Sequence, residues 1–512
     1  MKNSLGRELP EYIEGYGKVK PFNGAFGNLG EVSKRSITLK SAIPTDSKIV
    51  GTIKKVIEKC NLKDGMTVSF HHHLRNGDYV LNMVMEEIEK LGLKDIRIAA
   101  SSMFPVNRPV VELMEKGVVT GICSNYISGP VADAISQGKL KNVAIMHTHG
   151  GRPRAIESGD LKIDVAFIAA PTADTYGNIN GVDGPSACGA LGYAIPDAMY
   201  ADKVVAITDN LVDYPACPIE ISQDYVDFIV KVDSIGDPKG IVSGTTQITK
   251  DPVGLKIAKM TTALIEAAGL LKNGLSFQTG AGGTSLAVAK YLKDAMIKND
   301  IKGSFAAGGI TGYLVDMYEE GLFKSLFDVQ CFDLKAIESY KNNKAHQSMS
   351  ASMYGNPHNK GAVVNNLDIM ILGATEIDTN FNANVTTGST GYIMGGSGGH
   401  SDTAAGAKLA IVVTQLSKGR LPIVVDSVTT VTTPGETIDA VVTERGIAIN
   451  PRRADLIELL KTSNLPVMTI EELKAIAESM TGVPAKIDKL DDIVAVVEYR
   501  DGTVIDVVYK VD

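Results

Sequence analysis

Short aliphatic and β-branched runs recur along the chain at strand length: VAFIAA at 165–170, VVAIT at 204–208, DIMILGA at 368–374, AIVVT at 410–414 and PIVVD at 422–426. Each is continuously apolar rather than alternating, which suits strands of a parallel sheet covered on both faces. Helical periodicity lies between them. In 79–91, Val80, Val84, Ile88 and Leu91 fall on one stripe while Glu86, Glu87, Glu89 and Lys90 lie elsewhere, the pattern of an amphipathic helix covering a sheet. The alternation predicts an α/β class with open, largely parallel sheets.

The pattern also repeats. LKDGMTVSF at 62–70 aligns with LKNGLSFQT at 271–279. In both copies a helical stretch precedes the Leu-Lys-(Asp/Asn)-Gly turn, a strand follows, then a polar or Gly-rich loop, then a second helix. That helix is 79–91 in the first copy and 285–296 in the second, where Leu286, Ala289, Leu292 and Met296 share a stripe. A small-residue strand comes next, IRIAASS or GSFAAGG. The shared order predicts two tandem open-sheet domains, 1–240 and 241–512, joined in the Asp/Gly/Pro-rich SIGDPKGIVSG at 234–244. The tail from 450 reads as two helices, 454–462 and 470–480, and a hairpin turning at Asp501-Gly502. It is expected to be a small appendage of the second domain.

Composition narrows the function classes. At 512 residues and 44% hydrophobic, the chain has apolar material for more than one core. A net charge of -8 argues against a general nucleic-acid binder, which needs a concentrated Lys/Arg surface. The longest apolar runs are only strand length, and the start MKNSLGRELPEYIEGYG has no apolar h-region. A cytoplasmic protein with no membrane partner is expected. Cys60, Cys123, Cys188, Cys217 and Cys331 are scattered and lack CxxC spacing, so they read as reduced structural thiols.

Ligands of open α/β sheets bind beyond the carboxyl ends of strands, and four such loops carry candidate chemistry. FHHHLRNGD at 70–78 places His71, His72, His73 and Arg75 together. These donors suit a carboxylate-rich anion, although a plain surface loop or a metal chelate has the same composition. MHTHGGRPRAIESGD at 146–160 carries His147, His149, Arg152 and Arg154 beside two glycines; the pair of arginines can grip carboxylates, or simply be solvated. GGSGGHSDTAAGAK at 395–408 can converge backbone N–H groups on an oxyanion, as can TGAGGTS at 279–285. Flexible turns share this composition. Neither loop matches GxxxxGK(S/T), which disfavours nucleoside triphosphates.

SGDLKIDVAFIAAPTADTYGNINGVDGP resembles the first-half signature of coenzyme A transferases, with its Ala/Pro-Thr-Ala-Asp-Xaa-Xaa-Gly-Asn turn at 170–178. LGATEIDTNFNANV followed by GGSGGHSDTAAGAK resembles the second half, and VVTERGIAINP at 441–451 resembles the closing core strand. Within that superfamily, SFHHHLRNGDYV, HTHGGRPR, GGITGYLVDMYEEGL and SGGHSDTAAGAK together resemble the citrate lyase α-subunit family, over nearly the whole chain. The resemblance implies two tandem coenzyme A transferase-like domains of the NagB/RpiA type. It implies a citrate CoA-transferase that forms citryl thioester and acetate from citrate and acetyl-ACP or acetyl-CoA. No tightly bound cofactor and no metal are implied, only the thioester carrier as co-substrate. The implied partners are citrate, an acyl carrier (γ) subunit and a lyase (β) subunit, in a homo-oligomer of citrate fermentation.

Ordinary coenzyme A transferases carry a Glu nucleophile after the second strand of the second domain. Here that loop is AAGGITG at 306–312, and Glu319 and Glu320 follow on a helix as solvated charges. Direct exchange in a ternary complex is therefore expected. The expected citrate ligands are His71, His72, His73, Arg75, His147, His149, Arg152 and Arg154. Gly280, Gly282, Gly283, Gly308, Gly309, Gly395, Gly396 and Ser397 are expected along the pantetheine arm, with Gly398, Gly399 and His400 as catalytic groups. Three alternatives remain: a two-step CoA-transferase or acyl-CoA hydrolase with a Glu nucleophile, a metal enzyme using His71 to His73 with His147 and His149, and a sugar-phosphate-sensing domain. Such sensors normally carry a helix-turn-helix, which the first fifty residues, rich in Gly and Pro, do not make.

Overall fold

The computed structural model describes every residue except 38–40, 243–247, 281, 484–489 and 512. Part of the expected junction and one residue of the 279–285 loop therefore lie outside the described residues.

The first sheet is built from β1 (Thr67–Phe70), β2 (Ile96–Ala100), β3 (Val119–Ser124), β4 (Ala144–Met146), β5 (Val165–Ala170), β6 (Lys203–Thr208) and β7 (Phe228–Lys231). These strands are parallel and lie in the order β7-β6-β5-β1-β2-β3-β4. The second sheet uses β8 (Ser276–Thr279), β9 (Gly303–Ile310), β10 (Phe323–Cys331), β11 (His346–Ser348), β12 (Ile369–Leu372), β13 (Leu409–Val413) and β14 (Ala440–Val442), in the order β11-β10-β9-β8-β12-β13-β14. Numbered within each half, both sheets read 4-3-2-1-5-6-7. The two aligned sequence segments end in the first strand of each sheet. Continuous apolar runs do mark strands covered on both faces, since every position of β5 and β13 is buried. The helix Val80–Lys90 buries Val80, Val84 and Ile88, and its counterpart Gly283–Lys298 buries Leu286, Ala289, Leu292 and Met296.

One tight turn is duplicated as well. After β5, Asp174 Oδ1 accepts the backbone N–H groups of Tyr176, Gly177 and Asn178, while Oδ2 accepts Asn178 Nδ2. After β12, Asp378 Oδ1 accepts those of Asn380 and Asn382, and Oδ2 accepts Asn382 Nδ2. Gly177 and Phe381 occupy the same left-handed position at φ 99° and 65°, where only the glycine is free of steric cost.

Two expectations are corrected. PIVVD is no core strand: Val424–Val425 pairs with Glu376–Asp378 in a separate small sheet. The second sheet instead continues past β14 through β15 (Ile447–Ile449) and β16 (Val467–Met468). Nor is the terminal hairpin an appendage of the second unit. Its strands β17 (Ile493–Glu498) and β18 (Val504–Tyr509) extend the first sheet, β17 pairing parallel to β4 with Ala495 opposite Ala144 and Val497 opposite Met146. The three-residue β4 would otherwise leave an open edge, which natural sheets cover. The N-terminal segment closes over this hairpin, packing Leu9, Ile13 and Val19 against Val496, Val504 and Val507. We propose that the chain ahead of the hairpin passes from the first unit to the second near residue 240.

The carboxyl ends of the two sheets meet. Gln330, near the end of β10, donates to the carbonyl of His72 after β1 at 2.7 Å. Backbone bonds join Gly398 to both neighbours, with its N–H on Asn125 O at 3.1 Å and its carbonyl accepting His149 N–H at 2.7 Å. No helix among the described residues is long and apolar enough to cross a membrane.

Candidate functional site between the two halves

The cleft is built from the loops that follow β1, β3 and β4 in one half and the Gly-rich turn 395–399 in the other. His72 is fixed by Ser101 after β2, whose Oγ lies 2.6 Å from Nδ1. The Tyr193 ring packs against both His72 and His149, with centroids 4.6 Å from each, and His72 and His149 stack on one another at 5.9 Å. Asn125 Nδ2 meets His149 Nδ1 at 2.9 Å. A donated amide hydrogen there puts the imidazole proton on Nε2, the nitrogen facing Gly398. Burial, helped by the charge of Arg152, pulls His149 down to about 3. Burial also pulls His72 and His73 well below the usual imidazole range. The cleft therefore holds neutral, hydrogen-bonding rings at neutral pH.

Arg75 supplies the positive charge. Its guanidinium sits 5.3 Å from the Phe104 ring of one half and 5.0 Å from the Phe332 ring of the other. Its Nε and Nη1 are buried without a hydrogen-bond partner. Stacked and unpaired, it is positioned to take a carboxylate in a charge-assisted bond.

The other expected citrate ligands divide between two further environments. Arg152 is spent: both terminal nitrogens donate to Asp197 at 2.7 Å, and Nη2 also reaches the Ala99 carbonyl at 2.9 Å. His71 Nε2 lies 3.4 Å from the same carboxylate. Burial alone would raise Asp197, but Arg152 and His71 hold it well below the usual carboxylate range. This buried ion pair replaces the expected role of Arg152 in the cleft, because its counter-ion is already internal. His73 stacks on His71 at 5.9 Å and lies 6.2 Å from Tyr193. His147 and Arg154 belong to a third group around Glu498 of β17, at 3.0 and 3.8 Å.

The Gly-rich turn is less open than its composition suggests. The N–H groups of Gly395, Gly396 and Gly398 already donate to Thr386, Val385 and Asn125 carbonyls. Among the described residues the N–H groups of Ser397 and Gly399 have no acceptor. Gly398 is left-handed at φ 50°, and a Cβ there would lie 3.4 Å from His149 Nε2. His400, expected to be catalytic, is buried with both ring nitrogens engaged, Nδ1 with Thr433 Oγ1 at 2.7 Å and Nε2 with the Gly373 carbonyl at 2.8 Å. Burial pulls it down to about 4, and no ring nitrogen is left for substrate. Gly308 lies over the Gln278 amide and Gly309 over the Phe332 ring, both near the halves' junction, whereas Gly280, Gly282 and Gly283 open toward the surface beyond β8.

Sequence reasoning missed the groups that lock the cleft. Asp402 Oδ1 accepts Thr148 Oγ1 at 2.8 Å and Oδ2 accepts Gly150 N–H at 2.9 Å, tying one half's loop to the other's helix His400–Gly406. Burial pushes its carboxyl up to about 6, against the opposing charge of Arg500. Arg500, in the β17–β18 turn, stands 3.6 Å from Asp402 and donates to Gly355 O at 2.9 Å. Gln278 donates to the Tyr354 hydroxyl at 2.8 Å. Long amide side chains at the ends of the strand segments SFQT and DVQC were the available signal for Gln278 and Gln330.

The histidines of the two loops do not gather as a metal site. Among the described residues one trio can, Asp328, Cys331 and His346, all buried. There Asp328 Oδ2 already accepts Cys331 Sγ at 3.0 Å and His346 Nε2 at 3.1 Å, so the groups satisfy one another.

The family model described as citrate lyase, alpha subunit, matches residues 46–511. The citrate lyase alpha chain of Haemophilus influenzae is 50% identical over 466 residues, covering 91% of this chain and 93% of that one. The Klebsiella pneumoniae citrate lyase alpha chain is 45% identical over 489 residues, 96% of each. Among solved structures, the putative alpha subunit of citrate lyase from Streptococcus mutans, in complex with citrate, is similar at TM-score 0.96 and 50% identity over 100% of both chains. A malonate decarboxylase alpha subunit from Acinetobacter baumannii shares the fold at TM-score 0.64 and 18% identity, over 86% of each chain.

Proposed function

This chain belongs to the citrate lyase α-subunit family, and on that premise we propose that it is the transferase that loads citrate onto a thioester carrier, using the cleft between its halves. The observation that carries this reading is Arg75, a cation with buried, unpaired donors whose charge reaches His72 and Tyr193, the two rings packed on neutral His149, whose Nε2 faces Gly398. The Streptococcus mutans relative is in complex with citrate, and a tricarboxylate is what such a donor set accommodates.

A citrate carboxylate held by Arg75 attacks the acetyl thioester carbonyl. The carbonyl electrons move onto oxygen, where the free Gly399 N–H and the Nε2–H of His149 face the negative charge. Collapse expels the thiolate and leaves a mixed anhydride of acetate and citrate. The thiolate then attacks the citryl carbonyl and acetate departs, so the carrier ends as citryl thioester with no proton lost or gained overall. Juxtaposition supplies much of the acceleration, of order 7 to 11 kcal/mol where reacting groups are ideally aligned. The 306–312 loop offers no carboxylate for a covalent intermediate.

The co-substrate is the acetylated prosthetic arm of an acyl carrier subunit, with acetyl-CoA as its surrogate. A lyase subunit consumes the citryl product, and the assembly is cytoplasmic and homo-oligomeric in this chain. The test is an exchange assay: labelled citrate with acetyl-CoA, without a lyase partner, yields citryl-CoA and free acetate. Failure to form either product would remove the transferase reading. Hydroxylamine trapping after acetyl-CoA alone is expected to modify no Glu, and a modified Glu would establish the two-step route instead.

A further inference from the structure

A second basic cavity lies away from the cleft. It has a volume of about 240 Å³, and none of His72, Arg75, Tyr193 or Gly398 lines it. Its floor is the β2–β3–β4 surface with Arg97, Cys123 and His147; the helix Gly151–Ser158 adds Arg154. Lys18 and Lys20 of the N-terminal segment reach it from the outside, and Glu498 and Asp160 are its two acids.

The acids are already committed. Glu498 accepts Tyr16 OH at 2.8 Å and His147 Nδ1 at 3.0 Å, and Asp160 accepts Arg154 Nη1 at 2.6 Å. Two donor atoms in the residues that line the cavity are left unpaired. His147 Nε2 and Arg154 Nε are buried with no hydrogen-bond partner, in side chains that are 4% and 6% exposed as residues. Among the described residues no carboxylate lies in direct ion-pair contact with Arg97, Lys18 or Lys20, although the charge of Lys20 helps Arg154 lower Asp160. Burial pulls His147 down, but Glu498 and Cys123 more than offset it and push it up to about 9, so Nε2 carries a proton at neutral pH.

We propose that this cavity is a second ligand site for a small multivalent oxyanion, carrying two or more carboxylate or phosphate groups, held by Arg97, His147, Arg154 and the two lysines. Two buried cationic donors without acceptors are costly to leave unmet, and a polyanion meets them together with the half-buried Arg97 and the exposed Lys18 and Lys20. The anion comes from one of two sources, a free tricarboxylate or a phosphate group, and the experiment separates them.

The full chain is titrated calorimetrically at low salt with citrate and, separately, with inorganic phosphate. Wild type is compared with Arg97→Gln/Lys20→Gln, with Lys18→Gln/Lys20→Gln, and with the cleft variant Arg75→Gln. The exposed lysine pair keeps the test valid if Arg97→Gln disturbs folding, which thermal melting reports. Expected is an isotherm that survives Arg75→Gln and weakens about tenfold or more in both cavity variants, the worth of a charge-assisted hydrogen bond. Preference for citrate assigns a carboxylate ligand, and preference for phosphate the other. Wild-type binding of both anions in a folded cavity variant, or complete loss in Arg75→Gln, overturns the second site. So does binding of neither anion.

Discussion

Gly399 shows how little space the cleft leaves for a side chain. A Cβ at that position would lie 2.1 Å from the Tyr354 hydroxyl and 3.0 Å from the ring carbons behind it. Gly399→Ala is therefore expected to abolish most exchange activity, and Tyr354→Phe, which removes the overlapping oxygen, to restore part of it in the double variant. Measured kcat for the two single variants and the double decides; no rescue would mean that the hydroxyl is not the obstacle and that the ring carbons at 3.0 Å are enough to exclude the methyl. Arg152 makes the opposite point. Removing one partner of a buried pair costs about 3 to 5 kcal/mol because the other charge is stranded. Arg152→Met is thus expected to lower stability in urea melts with little effect on the citrate KM, while Arg152→Met/Asp197→Leu recovers much of the loss. The sequence displayed Arg152 as a cation in a promising loop but could not display its counter-ion, which arrives from the helix Ala194–Tyr200. That the loops carrying Arg75, His149 and Gly398 lie beyond strand ends was legible from the sequence, while their part in exchange is the proposal made above. His400 was not, since nothing local announces that Thr433 and Gly373 occupy its ring.

At the scale of elements, strand runs buried on both faces and the duplicated Leu-Lys-(Asp/Asn)-Gly turn were enough to read two similar sheets. The β17–β18 hairpin was recognisable from its own turn but not in its destination, because the edge it covers lies at Ala144–Met146, in the other half of the sequence. Its end residue Glu498 also sets a pH dependence. His147 is raised above its ordinary value, so its contribution to stability is complete below about 6.5 and is lost as pH rises through about 9. The corresponding free energy is about 3 kcal/mol at most for a shift of this size. Urea midpoints across that interval should fall in wild type, and the step should shrink in Glu498→Gln. An unchanged step would assign the pH dependence to other groups.

Across the whole molecule, the two sheets are held carboxyl end to carboxyl end by a clasp of Asp402, Thr148, Gly150 and Arg500. Arg500→Gln is expected to leave the fold intact by circular dichroism while reducing exchange several-fold, since the clasp positions the His149 and Gly398 loops. Removal of the β17–β18 hairpin is expected to do more, exposing the β4 edge and giving aggregated protein by size-exclusion chromatography. Equal behaviour of the two variants would show that the clasp, rather than edge pairing, is what the hairpin contributes. The parallel pairing of β17 with β4 also bears on biosynthesis. As the polypeptide emerges from the ribosome, the first sheet has to wait, one margin bare, until the entire second sheet has been translated. That interval is when a chaperone has most to shield, and it makes separate expression of the two halves a poor route to either.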